Sequence, residues 1–104
     1  MGTMNIEKAH SFTPEEAKKR LEALGDYLHN KHGLQVTWNG DRATFSGKFL
    51  VVSIKGTLSL QPNKAVFEGE DPGFLWRGKA KEYIESKLRI YLDPGRKLEE
   101  LKRS

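Results

Sequence analysis

The chain has 104 residues, of which 37% are hydrophobic and 31% charged, and it contains no cysteine. That length fits one domain with a single core and no staples, and the balance is ordinary globular usage. The lack of thiols removes disulfides, thiolate zinc sites and cysteine nucleophiles. The longest apolar run, Phe49 to Val52, is far below the roughly 20 residues of a bilayer-spanning helix. With no signal-peptide core at the N-terminus, a cytoplasmic protein is expected. The net charge of +4 is unevenly placed: residues 1–76 balance, whereas from Arg77 onward nine basic residues face five acidic ones. A basic C-terminal helix and tail of this kind can approach anions.

Met4 to His10 alternates, with Ile6, Lys8 and His10 on one side, and predicts a short first strand. Thr13-Pro14-Glu15-Glu16 places a hydroxyl at an N-cap, proline at the first helical position and Glu16 where a capping box closes. The helix that follows carries Ala17, Leu21, Leu24 and Leu28 as an apolar stripe, and Gly33 ends it with a left-handed residue. The period then switches to two: Leu34, Val36 and Trp38 face one way, with Trp38 assigned to the core. Asn39-Gly40-Asp41 is a hairpin turn into Arg42 to Ser46. Gly47 and Lys48 interrupt the pattern, and a strand resumes from Phe49 to Ile54. Gly56 marks an irregularity before Leu58 and Leu60. Gln61-Pro62-Asn63-Lys64 is a turn, Ala65 to Glu70 the last strand, and Asp71-Pro72-Gly73 its end.

A second helix starts between Phe74 and Lys79 and buries Ala80, Tyr83, Ile84, Leu88, Tyr91 and Leu92, with Lys87 snorkelling at the edge of that stripe. Asp93-Pro94-Gly95 stops it, and the charged residues 94–104 are expected to form a frayed tail unless a partner orders them. The expected architecture is α+β: an antiparallel sheet of four to five strands packed on one face by two amphipathic helices, in the order (β)-α-β-β-β-β-α. Residues 1–93 form the single domain. The other sheet face stays open to water or a partner, and a homodimer burying residues such as Thr44 or Ser53 is one use for it.

No catalytic, cofactor or metal site is expected. Asp26, His29 and His32 recur every three residues on one helix, with His10 as a conceivable further ligand. Such spacings arise readily on polar helix faces, and a histidine near a helix C-terminus is explained by the dipole. Glu68 with Glu70 or Asp71 lies beside a turn, where solvated carboxylates are common. Ser46, Ser53 and Ser59 lack a nucleophile elbow, and no phosphate-cradling glycine loop is present. Phe74-Leu75-Trp76-Arg77-Gly78-Lys79-Ala80-Lys81 sets apolar bulk beside cations. Exposed, Phe74, Leu75 and Trp76 with Arg77, Lys79 and Lys81 form an interfacial anchor; the commoner role of such aromatics is to close the edge of a core. A basic sheet with aromatics also suggests a single-stranded RNA-binding module. Gly47-Lys48-Phe49-Leu50-Val51 matches an RNA-recognition strand only loosely, and the chain ends in a helix where that fold expects a strand.

Ile6 and His10, Trp38-Asn39-Gly40-Asp41, Ser46-Gly47-Lys48, Gly56, Gly73-Phe74-Leu75, Lys81, Ile84-Glu85 and Leu92-Asp93 together resemble the polyhydroxyalkanoic acid system family over most of residues 5–93. The resemblance implies a small bacterial protein with a noncatalytic role at or near polyhydroxyalkanoate storage granules. It brings no catalytic residues with it. A polyester granule is an apolar surface with a protein coat, so Phe74 to Lys81 is the segment expected to contact the granule or a coat protein.

Overall fold

The computed structural model describes residues 3–49 and 52–104. Its elements are β1 (Thr3–Ala9), α1 (Pro14–His32), β2 (Gln35–Asn39), β3 (Arg42–Phe49), β4 (Val52–Gln61), β5 (Lys64–Glu70) and α2 (Phe74–Tyr91), followed by a 3-10 turn at Leu98–Glu100. The fold is α+β, with the expected order. Thr13 Oγ1 accepts the Glu16 N–H at 3.2 Å, which satisfies one of the amides a helix start leaves open. The Glu16 carboxylate, expected to close a capping box, instead accepts from Arg20 Nε at 3.0 Å. Gly33 ends α1 at φ 72° and donates its N–H to the His29 carbonyl, as its position after the apolar stripe predicts.

β2 to β5 form a meander, and β1 adds to the far side of β5, giving the antiparallel order β1-β5-β4-β3-β2. α1 thus leads from one edge of the sheet to the other and must cross a face. One row of paired residues on that face reads Trp38, Ala43, Leu58, Phe67, Ile6. Against this row pack Leu21 and Leu24 of α1 and Leu88 and Tyr91 of α2, all buried. Trp38, assigned to the core, is half-buried at its margin because β2 is an edge strand, and the Lys18 ammonium lies 5.7 Å from its ring centre.

Contrary to expectation, the strand is not broken at Gly47-Lys48. β3 runs through both residues, and Phe49 pairs with Val52 of the antiparallel β4. The strand expected from Phe49 to Ile54 includes residues 50 and 51, which lie outside the described residues; β4 begins at Val52. Gly47 marks a close approach: at φ 154°, a Cβ there would come within 2.8 Å of Leu34 Cδ2.

The C-terminal end of α2 is firmly held. Arg20, only 2% exposed, donates from Nη1 to the carbonyls of Tyr91 and Asp93 at 3.3 and 3.2 Å and from Nη2 to that of Arg96. Its guanidinium carbon lies 4.1 Å from the centre of the Phe12 ring. A cation here both satisfies the open Tyr91 carbonyl of the helix end and meets the negative end of the helix dipole. The tail beyond it, expected to fray, is packed. Leu101 is 7% exposed, Tyr91 Oη donates to the Lys102 carbonyl at 2.5 Å, Asn30 donates to the Arg103 carbonyl at 2.7 Å, and Arg103 pairs with Asp26 at 2.6 Å. A charged composition concealed one buried leucine and backbone acceptors reached by side chains of α1 and α2.

Candidate functional site

The N-terminal end of α2 is built differently. Gly73, at φ 99°, supplies no side chain to cap it, and the first turn holds no acidic residue. Ahead of the helix, Asp71 accepts the Gly73 N–H at 2.9 Å and Arg77 Nε at 2.8 Å, a tight turn that leaves the first helical amides without a side-chain cap. The Arg77 hydrogen bond, reinforced by that N–H, holds the Asp71 carboxyl below the usual carboxylate range. The helix starts at Phe74, ahead of Gly78.

The six residues singled out from sequence fall into separate groups. Phe74 and Leu75 are 80% and 74% exposed, so they do not close the core, as the commoner behaviour of such side chains suggested. Trp76 is half-buried and lines a cleft beneath the helix. Arg77 is engaged by Asp71, with Nη2 to Oδ2 at 2.6 Å. Lys79 is exposed and also lines the cleft, and Lys81 is exposed. The apolar bulk and the charge thus lie together at one end of α2, with Trp76 turned toward the sheet.

The cleft, of about 290 Å³, lies between α1, α2 and the sheet, and its walls are almost wholly apolar. Its origin can be read in the register. The row of paired residues next to the core row is Val36, Phe45, Gly56, Gly69, Met4, so two adjacent positions in its centre have no side chain. The Phe67 ring lies over them: a Cβ would meet it at 2.5 Å on Gly56 and at 2.9 Å on Gly69. The glycine expected to mark an irregularity at position 56 is instead half of a cross-strand pair that lowers the floor under α2. Trp76, Ala80, Ile84 and Leu88 of α2 form the opposite wall, at helical spacing.

An aromatic and basic cluster lies along the cleft. Tyr83 Oη is 2.9 Å from His32 Nε2, and the Lys87 ammonium lies 4.6 Å from the Tyr27 ring centre and 5.3 Å from that of Tyr83. Tyr83, expected on the buried face of α2, is 39% exposed; the partial burial of its phenol pushes it up to about 12, with Tyr27 and Tyr91 adding to the shift. Burial, then the charges of Lys31 and Lys87, lowers His32. At neutral pH a phenolic O–H therefore faces a neutral imidazole across this hydrogen bond. Lys87, expected to snorkel, extends over these two rings.

The other residues considered from sequence disperse. His29 Nδ1 meets the Leu34 carbonyl at 2.8 Å, Asp26 pairs with Arg103, and His10 Nδ1 accepts the Phe12 N–H at 3.2 Å. Among the described residues no three histidine, aspartate or glutamate side chains come together as metal ligands. Glu68 and Glu70 are exposed, as are Thr44 and Ser53 on the open face. The open-face positions paired across β2 to β5, from Thr37 and Thr44 to Thr57 and Glu68, carry no aromatic ring on which a base would stack.

Sequence reasoning missed Arg20, although a charged residue beside Leu21 on the apolar stripe is a visible signal. It also missed the Gly56–Gly69 pair. A hairpin centred on Pro62-Asn63 brings symmetrically placed residues together, and these two glycines are among them.

A five-stranded sheet gripped by two helices, with an apolar cleft under one of them, defines a small sheet-and-helix protein with a receptacle in its core. Residues 4–94 match the family model of polyhydroxyalkanoic acid system proteins, and the chain belongs to that family. No curated protein and no solved structure matches the chain. No helix among the described residues is long and apolar enough to cross a membrane.

Proposed function

We propose that the protein acts noncatalytically at the surface of polyhydroxyalkanoate granules, with the Phe74–Leu75 end of α2 as its contact element. The observation that carries this reading is the exposure of two adjacent large apolar side chains at 80% and 74%, in a chain whose family is that of the polyhydroxyalkanoic acid system. Lys79 and Lys81 stand on the same helix and are exposed. Apolar side chains backed by cations suit a surface whose interior is apolar and whose boundary carries anionic groups or a protein coat. Burying both side chains in such a surface is worth about 3 kcal/mol or more at the usual area coefficient, enough for reversible adsorption.

The test is co-sedimentation of the purified chain with isolated granules. Phe74→Ser combined with Leu75→Ser should lower the bound fraction at least about tenfold, while the melting temperature stays near that of the parent protein. Unchanged association of the folded double variant would rule the reading out.

A further inference from the structure

The cleft beneath α2 is distinct from the exposed end of that helix, and its size, walls and charge point to an occupant. About 290 Å³ is roughly twice the cavity that takes up one benzene ring and sits near the lower bound of small-molecule sites. That is room for roughly ten packed carbons, one alkyl chain and not two. A peptide would bring backbone amides that such apolar walls leave unpaired. Two features keep the space open: the Gly56–Gly69 floor, onto which the Phe67 ring is laid, and Ala80, a small side chain between Trp76 and Ile84 on the wall of α2.

The charge is one-sided. Lys79 and Lys87 of α2 line the cleft, whereas Lys55 and Glu70, which also border it, hold open-face positions on the sheet. Among the described residues neither Lys79 nor Lys87 forms an ion pair; Lys87 is held by ring faces, which orient its ammonium without neutralising it. We propose that the cleft binds the alkyl chain of a single-chain carboxylate amphiphile, with the ammonium groups of Lys79 and Lys87 facing its head group. Trp76 and Phe67 flank the chain, and the hydroxyl of Tyr83 lies within the same lining.

Calorimetric titration of the full chain with decanoate tests this, with decanol and decyltrimethylammonium as probes of equal chain length, all below their micellar concentrations. Decanoate should bind saturably, one molecule per chain, and decyltrimethylammonium more weakly. Ala80→Phe, which fills the cleft, should weaken decanoate at least about tenfold. Should Ala80→Phe fail to fold, the exposed Lys79→Glu decides: it should weaken decanoate roughly two- to fivefold and leave decanol unchanged. No saturable decanoate binding by the folded parent, equal or tighter binding of decyltrimethylammonium, or full affinity in both variants would overturn the proposal. The granule reading is tested separately, because Ala80→Phe leaves Phe74 and Leu75 in place. Granule association without decanoate binding would sink the cleft proposal alone.

Discussion

At its C-terminal end α2 and its cap residue bury Leu88, Tyr91 and Leu92 to 1–3% exposure, and the last helical carbonyl, that of Tyr91, goes to a buried arginine. At its N-terminal end the same helix leaves Phe74 and Leu75 in water, has no side-chain cap, and stands over a floor with two side chains missing. A helix stabilised mainly by packing derives that stability from its buried face, so the closed end carries α2 while the open end contributes little to folding. The contrast shows where to look for function: the apolar groups that do not stabilise the fold are the ones available to a partner.

The comparison is broken most severely at Arg20. Arg20→Ala should destabilise the protein by about 3 kcal/mol, because it strands the buried Tyr91 carbonyl and removes the guanidinium packed on Phe12, whereas the Glu16 carboxylate, 43% exposed, can turn to water. In a domain of this size that lowers the melting temperature by more than about 10 °C, and a loss below about 1 kcal/mol in denaturant titration would show that the closed end is not held by this residue. Leu101→Ala comes next, at about 2–3 kcal/mol. A neutral result there would mean the tail does not pack in solution.

Gly78→Ala acts on the open end and in the opposite direction. Gly78 lies in α2 with no atom within 4 Å of a would-be Cβ, so alanine should stabilise by about 0.5–1 kcal/mol through helix propensity. Destabilisation in the same titration would indicate that this end departs from a regular helix.

The smallest effect is on pH dependence. Burial lowers both His32 and His10 from 6.5 in the folded chain, so the unfolded chain binds these protons more readily. Their contribution to stability is fully present above pH 6.5 and is lost as the pH falls through the lowered folded-state values. Melting temperatures measured downward from pH 7 should decline through that window, before the carboxylates titrate. Lys87→Met removes one of the charges that depress His32, so an NMR titration should find its imidazole closer to the ordinary value. An imidazole that stays put would remove Lys87 from that cluster.

The sequence was legible wherever a local rule operates. Thr13 caps α1 and Gly33 ends it because cap chemistry needs only a few neighbouring residues. The alternation of Leu34, Val36 and Trp38 and the Gly40-Asp41 turn set the first hairpin for the same reason. The reading failed where distance in the chain mattered. Gly47 read as punctuation because a glycine's contacts with Leu34 are invisible in sequence, and residues 94–104 read as a fraying tail because the partners of Leu101 and Lys102 lie on distant elements. For the candidate site, the segment Phe74 to Lys81 was recognisable, but not the division within it between exposed Phe74 and Leu75 and cleft-lining Trp76.

By itself the sequence determined the kinds of element, their order and the family, since hydrophobic period, caps and turns are local properties. The tertiary structure alone decided that β1 pairs with β5, that Arg20 closes one end of α2, and that Gly56 meets Gly69 beneath the other. Each of those depends on strand register and helix placement, which set the distances between residues far apart in the chain, and through them which apolar surface is buried and which is left for a ligand.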